Sequence, residues 1–222
     1  MLQMVERCSL KAILLLLLTI LVTSSAMAEK VLVILPHNYG TNYFLARDVM
    51  DDFGWEVTLT GTTNPVQPCP WADNIAASPI EVDLLVQDID LETISNYDAV
   101  IVSSAHLYVG TPYGDLMDSP DVINLLVRAN QEGVVLAGWC GATRVFAAAD
   151  IINGRNVTGN EVFEDEYINA GANYVGPDHS PVTDGNLVTT TRGMYFRLQN
   201  VEAVADAIQA RIWDEATLGG AR

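Results

Sequence analysis

Lysine is almost absent from this chain of 222 residues: Lys11 and Lys30 are the two it has, and 11 lysines and arginines together face 28 aspartates and glutamates. A formal net charge of −17 excludes the broad basic surfaces that nucleic acid and anionic lipid require, so neither is expected as a partner. Cysteine is sparse too, at positions 8, 69 and 140, which rules out a dense disulfide framework and paired C-x-x-C metal sites. The three histidines, His37, His106 and His179, do not form an H-x-x-x-H pair, so neither a metal nor a cofactor is expected. Past Val22 no apolar run is long enough to span a bilayer. There is no internal repeat and no low-complexity tract.

What is present begins with the amino terminus. Residues 1–28 read MLQMVERCSLKAILLLLLTILVTSSAMA: Arg7 and Lys11, then an apolar stretch from Ala12 to Val22, then the small-residue pattern Ala26-Met27-Ala28. This is the form of a secretory signal peptide cleaved before Glu29, and it predicts a secreted or periplasmic protein with no membrane attachment after cleavage. The stretch is shorter than the roughly 20 residues of a membrane-spanning helix. Losing the leader removes two bases against one acid, Glu6, and leaves residues 29–222 as a single acidic domain. Cys69 and Cys140 then remain in a compartment where disulfides form, and sequence leaves open whether they pair.

Along residues 29–222, short β-branched runs alternate with helix-length segments. VLVIL (31–35) and YDAVIVSS (97–104) are continuous apolar strands of the kind buried on both faces. WEVTLTG (55–61), part of VDLLV and VVLAG (134–138) are further strands. Asn42–Phe53 is predicted helical, with Gly54 as its C-terminal glycine. Ser119-Pro120-Asp121 opens a helix that Gly133 closes. A helix is expected from the Cys140 segment to about Ile152, an acidic one from Glu161 to Ala170, a hairpin through Asp184-Gly185, and a closing helix from Val201 to Trp213. Strands alternating with helices predict an α/β fold, a mostly parallel central sheet with helices on both faces.

In such a sheet, sites form beyond the carboxyl ends of the strands. His37 arrives there after the first strand, Ser104 and His106 after YDAVIV, and Cys140 after VVLAG. Gly138-Trp139-Cys140-Gly141-Ala142 has small residues two before and two after the cysteine, the form of a nucleophile elbow. Such a turn sets the thiol at a helix N-terminus, where dipole and N–H groups favour thiolate, and the N–H of Gly141 could hold an oxyanion. The alternative is an inert buried thiol whose small neighbours merely allow close packing. His106 is the preferred base beside Cys140, with His37 second; each also fits a solvent-facing loop residue. Tyr39, Tyr43, Tyr108 and Tyr113 are equally compatible with a pocket lining and with packing. Arg144 could face away from the site, and Glu161–Glu166 reads as a solvated face.

The order KVLVIL, a helix with Asp48-Val49-Met50 ending in GWEV, YDAVIV, VVLAGWCGA, AADIINGRNVTG, GANYV and VTDGNLVTTTRG resembles the ThiJ/PfpI superfamily over nearly the whole of residues 29–222. The resemblance implies a flavodoxin-like, class I glutamine-amidotransferase-like three-layer sandwich, often dimeric, with the elbow cysteine at Cys140. Members include cysteine-dependent hydrolases, glyoxalase-like enzymes, stress proteins and cysteine-oxidation sensors. Three positions depart from the pattern. Asn42 stands where the first helix usually offers an acid to the thiol, Gly141 where many hydrolytic members have histidine, and Ser103-Ser104 where a glycine pair is usual. Two expectations follow: a cysteine-dependent hydrolase or glyoxalase-like enzyme acting on small carbonyl or amide compounds, or a non-catalytic or redox-responsive protein of the same fold whose partner is an oxidant.

Overall fold

A computed structural model describes residues 28–40, 42–70, 78–107, 110–191 and 197–219. The expected leader, all but Ala28, lies outside the described residues, as does Tyr108; the Asn42 side chain is not described either.

The strands are β1 (Lys30–Ile34), β2 (Glu56–Gly61), β3 (Leu84–Leu85), β4 (Ala99–Val102), β5 (Val135–Trp139), β6 (Asn156–Val157), β7 (Asn173–Tyr174), β8 (Val182–Asp184) and β9 (Leu187–Thr190). The helices are α1 (Asn42–Asp52), α2 (Gly114–Met117), α3 (Pro120–Gln131), α4 (Thr143–Ala148), α5 (Glu164–Asn169) and α6 (Arg197–Gly219). Seven strands form one sheet in the order β3-β2-β1-β4-β5-β9-β8, all pairs parallel except the β8–β9 hairpin. β6 and β7 make a separate parallel pair.

Alternation along each strand explains why these runs are apolar throughout. Leu32, Ile34, Val100, Val102 and Leu136 enter a core with α3 and α4, while Val31, Val33, Ala99, Ile101, Val135 and Ala137 enter a second core with α1 and α6. Each strand therefore needs apolar side chains on both faces, which gives the three-layer, flavodoxin-like sandwich expected from sequence.

Local signals acted as their chemistry requires. Ser119 accepts from the Val122 N–H, with Pro120 opening α3, and Gly133 takes φ +69 after its end. Three elements differ in extent from expectation, and the closing helix also ends at Gly219 rather than Trp213. The helix after Cys140 ends at Ala148 rather than near Ile152, because Asp150 turns the chain with φ +55. The strand in VDLLV is two residues long before a 3-10 turn begins. α6 begins at Arg197 rather than Val201; Arg197, Leu198 and Gln199 are exposed and carry no apolar signal of a helix start.

Candidate functional site

Chain direction reverses between β1 and β4, since β2 and β3 lie to one side of β1 and β4 and β5 to the other. The loops leaving β1 and β4 meet at that switch point. Gly40 donates its N–H to Ser104 O at 3.2 Å, and His106 donates its N–H to Asn38 O at 3.1 Å. Ser104 Oγ reaches Trp139 O, the carbonyl just before Cys140, at 3.4 Å. The carboxyl-end loops that carry His37, Ser104 and His106 are thus stitched to one another and, through Ser104, to the elbow. His37 contributes its backbone N–H to Asp115 Oδ2 at 2.9 Å, and Thr62 Oγ1 holds the same oxygen at 3.2 Å. His179 sits in an exposed 3-10 turn.

Cys140 has φ +60, a left-handed conformation in a residue with a side chain. Such a backbone costs on the order of 1–3 kcal/mol and persists only where neighbours over-determine it. They do so here. The Asn160 N–H holds Cys140 O at 3.1 Å. Before it, Ser104 and Tyr113 both bond Trp139 O. After it, a 3-10 turn over Cys140–Ala142 runs straight into α4. Gly138 is required by contact, since a Cβ there would lie 2.5 Å from Phe146 Cε2. Gly141 is required likewise: its Cβ would meet Tyr113 Cε2 at 2.9 Å and Phe163 Cε2 at 3.0 Å. Position 141 therefore has no room for an imidazole beside the thiol.

Asn160, missed in the sequence reading, donates from Nδ2 to Cys140 Sγ at 3.4 Å. Its amide orientation is set by a second bond, since Oδ1 caps the 3-10 turn Glu161–Phe163 by accepting the Val162 N–H at 3.0 Å. Only N–H hydrogens are left to face the sulfur. The available signal was Asn160 preceding an acidic turn, an N-cap pattern.

Two tyrosines stand nearby, Tyr113, one of the four read as compatible with a pocket lining or with packing, and Tyr167, which the sequence reading did not single out. Tyr113 is fully buried; its Oη accepts the Ala105 N–H at 2.9 Å and lies 3.4 Å from Trp139 O. Burial raises its pKa well above the ordinary phenol value, and proximity to Cys140 adds to that. Tyr167, in α5, is raised by the same two causes in the same order. Both remain neutral hydrogen-bond donors at ordinary pH. Tyr39 and Tyr43, by contrast, belong to the α1-side core. Arg144 turns toward the elbow's outer wall rather than away: Nε bonds Glu166 Oε2 at 2.7 Å, Nη1 bonds Pro112 O at 2.7 Å, and its guanidinium lies 4.2 Å from the Phe163 ring centre. The other acids of Glu161–Glu166 are exposed.

Cys69 is buried and Cys140 half-buried, and no disulfide joins them. No group of three or more His, Cys, Asp or Glu side chains gathers as a metal site among the described residues, and no helix among them is long and apolar enough to cross a membrane. A cavity of about 180 Å³ lined by Lys30, Glu56, Thr58, Thr93, Asn96 and Tyr97 opens at the amino ends of β1 and β2, the opposite edge of the sheet. None of Cys140, His37, Ser104 and His106 lines that cavity.

No curated protein matches the chain. Among solved structures, DJ-1beta of Drosophila melanogaster is 24% identical with a TM-score of 0.65, over 83% of this chain and 95% of that one. Oxidized DJ-1 of Toxoplasma gondii is 18% identical with a TM-score of 0.62, over 86% and 98%. A two-domain protein of Anabaena variabilis, with DJ-1/ThiJ/PfpI-like and ferritin-like domains, is 20% identical with a TM-score of 0.65; the match covers 83% of this chain and 48% of that one, about half its length. At these identities the likeness is one of fold. The DJ-1/PfpI family model matches residues 29–203, and the chain belongs to the DJ-1/PfpI family.

Proposed function

We propose that this is an exported DJ-1/PfpI protein with an altered active site, in which Cys140 is a nucleophilic thiol that small peroxides oxidise. The observation that carries the reading is the Asn160 amide, turned so that its N–H₂ faces Sγ. Beside the sulfur stands that donor amide, and the buried Tyr113, whose hydrogen goes to Trp139 O, stays neutral and adds no negative charge to the turn. Donors favour an anion, whether thiolate or oxidised sulfur. They cannot accept a proton from a leaving group or from water, and Gly141 leaves no space for the adjacent histidine that hydrolysis would use.

In the oxidation step the thiolate attacks one peroxide oxygen, the S–O bond forms as the O–O bond breaks, and hydroxide leaves to become water. Sulfur gives up two electrons and peroxide takes them. Export to an oxidising compartment, inferred from the leader, suits such a role. The homodimer implied by the family resemblance belongs to the same reading and is tested by light scattering. A second reading, an enzyme adding Cys140 to small aldehydes with His106 moving the proton, is favoured by the Ser104 bond that ties the His106 loop to the elbow.

Exposing the protein and its Cys140→Ala variant to hydrogen peroxide and mapping the masses tests the proposal. Oxygen should be added at Cys140 in preference to buried Cys69. Oxidation of Cys140 no faster than that of a free cysteine would overturn it. Consumption of small aldehydes that depends on both Cys140 and His106 would favour the second reading.

A further inference from the structure

Opposite charges on neighbouring strands attract one another. Lys30, which opens β1, and Glu56, which opens β2, are register partners in the parallel pair, so their side chains leave the same face from strands about 4.8 Å apart. Yet neither belongs to any of the ion pairs among the described residues. Both line the cavity of about 180 Å³ at the amino edge of the sheet, together with Thr58, Thr93, Asn96 and Tyr97. Lys30 is also the one lysine of residues 29–222.

The surroundings leave the two charges open. Asp98, the acid next to Tyr97, is bound to the Lys30 main chain: its Oδ2 accepts the Lys30 N–H at 2.8 Å, and its own N–H donates to Lys30 O at 2.8 Å. Glu92 pairs with Arg128 at 3.5 Å. Glu56 is held through its backbone, whose N–H donates to Glu29 O at 2.8 Å, while the residue itself is exposed. Thr93 Oγ1 donates to Asp90 O at 2.7 Å, which leaves the lone pairs of that oxygen as an acceptor. Asn96 adds an amide and Thr58 a hydroxyl, and Tyr97 is half-buried against the α3-side core. The lining thus offers one cation, one anion and neutral groups that donate and accept.

We infer that this cavity is a binding site for a small α-amino acid in its zwitterionic form, with the carboxylate on Lys30 and the ammonium on Glu56. A simple anion would satisfy Lys30 and meet Glu56 as a like charge; a simple cation would do the reverse. A zwitterion satisfies both. It also arrives without net charge, whereas the −17 of the chain repels anions at a distance. The volume sets the size, since 180 Å³ is about six times the roughly 30 Å³ of a water molecule in the liquid, which is room for a molecule the size of glycine or alanine. Cys140 lies at the carboxyl edge of the same sheet, so the inference stands apart from the peroxide reading.

The test follows the backbone amides of the chain from Glu29 onward by NMR while glycine is added, with acetate and glycinamide as probes that keep one charge each. The amides of Lys30, Glu56, Thr93, Asn96 and Tyr97 should shift and saturate with a dissociation constant on the order of 1 mM, because both ion pairs are open to solvent. Acetate and glycinamide should bind about fivefold more weakly than glycine, and glycine should lose about fivefold in Lys30→Met and in Glu56→Gln. Exchanging the charges, Lys30→Glu with Glu56→Lys, should restore glycine binding with the ligand turned end for end, which a merely structural role of either residue would not give. Acetate that binds as tightly as glycine, with no effect of Glu56→Gln, would make this an anion site and overturn the inference. So would glycine that causes no saturable shift at these residues. The three ligands are compared on the wild type, so they decide the matter even where a variant does not fold, and neither failure touches the reading of Cys140.

Discussion

Replacing Gly141 with alanine puts one methyl group between two aromatic rings. The new Cβ would lie 2.9 Å from Tyr113 Cε2, 3.0 Å from Phe163 Cε2 and 3.4 Å from Phe163 Cδ2, where carbon contacts settle at about 3.5–4.0 Å. Tyr113 has little room to give: it is fully buried, its hydroxyl bonds Ala105 N at 2.9 Å, and its backbone is left-handed at φ +66. Phe163, half-buried beneath the Arg144 guanidinium, is the ring that must move. Overpacking of this kind costs about 1–3 kcal/mol. Gly141 does not have positive φ, so alanine also restricts the unfolded chain and returns about 0.4–1 kcal/mol. Roughly 0–2.6 kcal/mol of destabilisation remains, which lowers Tm by up to about 10 °C at the 2–4 °C per kcal/mol typical of this chain length. Thermal unfolding followed by circular dichroism reads the effect. A double-mutant cycle with Phe163→Ala should show coupling, because the smaller residue relieves the collision. A Gly141→Ala protein more stable than the wild type, or a double-mutant cycle with no coupling to Phe163, would refute the claim that two rings close this position.

Two further outcomes follow. Asn160→Asp keeps the cap on the Val162 N–H but replaces the donor at the sulfur with a like charge, so alkylation of Cys140 at pH 7 should slow by about tenfold; equal rates would show that Asn160 does not favour the thiolate. Tyr113 and Tyr167 have folded-state pKa values above the ordinary 10.0, so the unfolded chain gives up these protons first as pH rises. Their contribution to stability is therefore full below pH 10 and falls above it, and absorbance at 295 nm should show two phenols that ionise only as the protein unfolds; two that titrate near pH 10 in the folded protein would contradict their burial.

The tight strand-to-helix turn at Cys140 was legible because its causes are local. Glycine two residues before the cysteine, alanine two after, a strand before and a helix after are short-range facts, and the structure added only that Phe146, Tyr113 and Phe163 are the bodies that demand the small residues. Asn160 was not found because its role depends on a contact across 20 residues of sequence. Tyr167 was hidden in a different way: it lies in a run whose other members, Glu164, Asp165 and Glu166, are exposed, and a six-residue helix is too short for periodicity to single out one inward position. Arg144 was undetermined because both its anchors, Pro112 O and Glu166, come from other segments.

The most direct test compares the two thiols of one folded molecule. At pH 6.5, the iodoacetamide rate of Cys140 should exceed that of an unstructured cysteine peptide by about tenfold for each pH unit by which the elbow favours thiolate, while buried Cys69 stays protected until the protein unfolds. A Cys140 that reacts no faster than the peptide, with Asn160 and the elbow intact, would mean that the turn only packs a thiol and does not activate it.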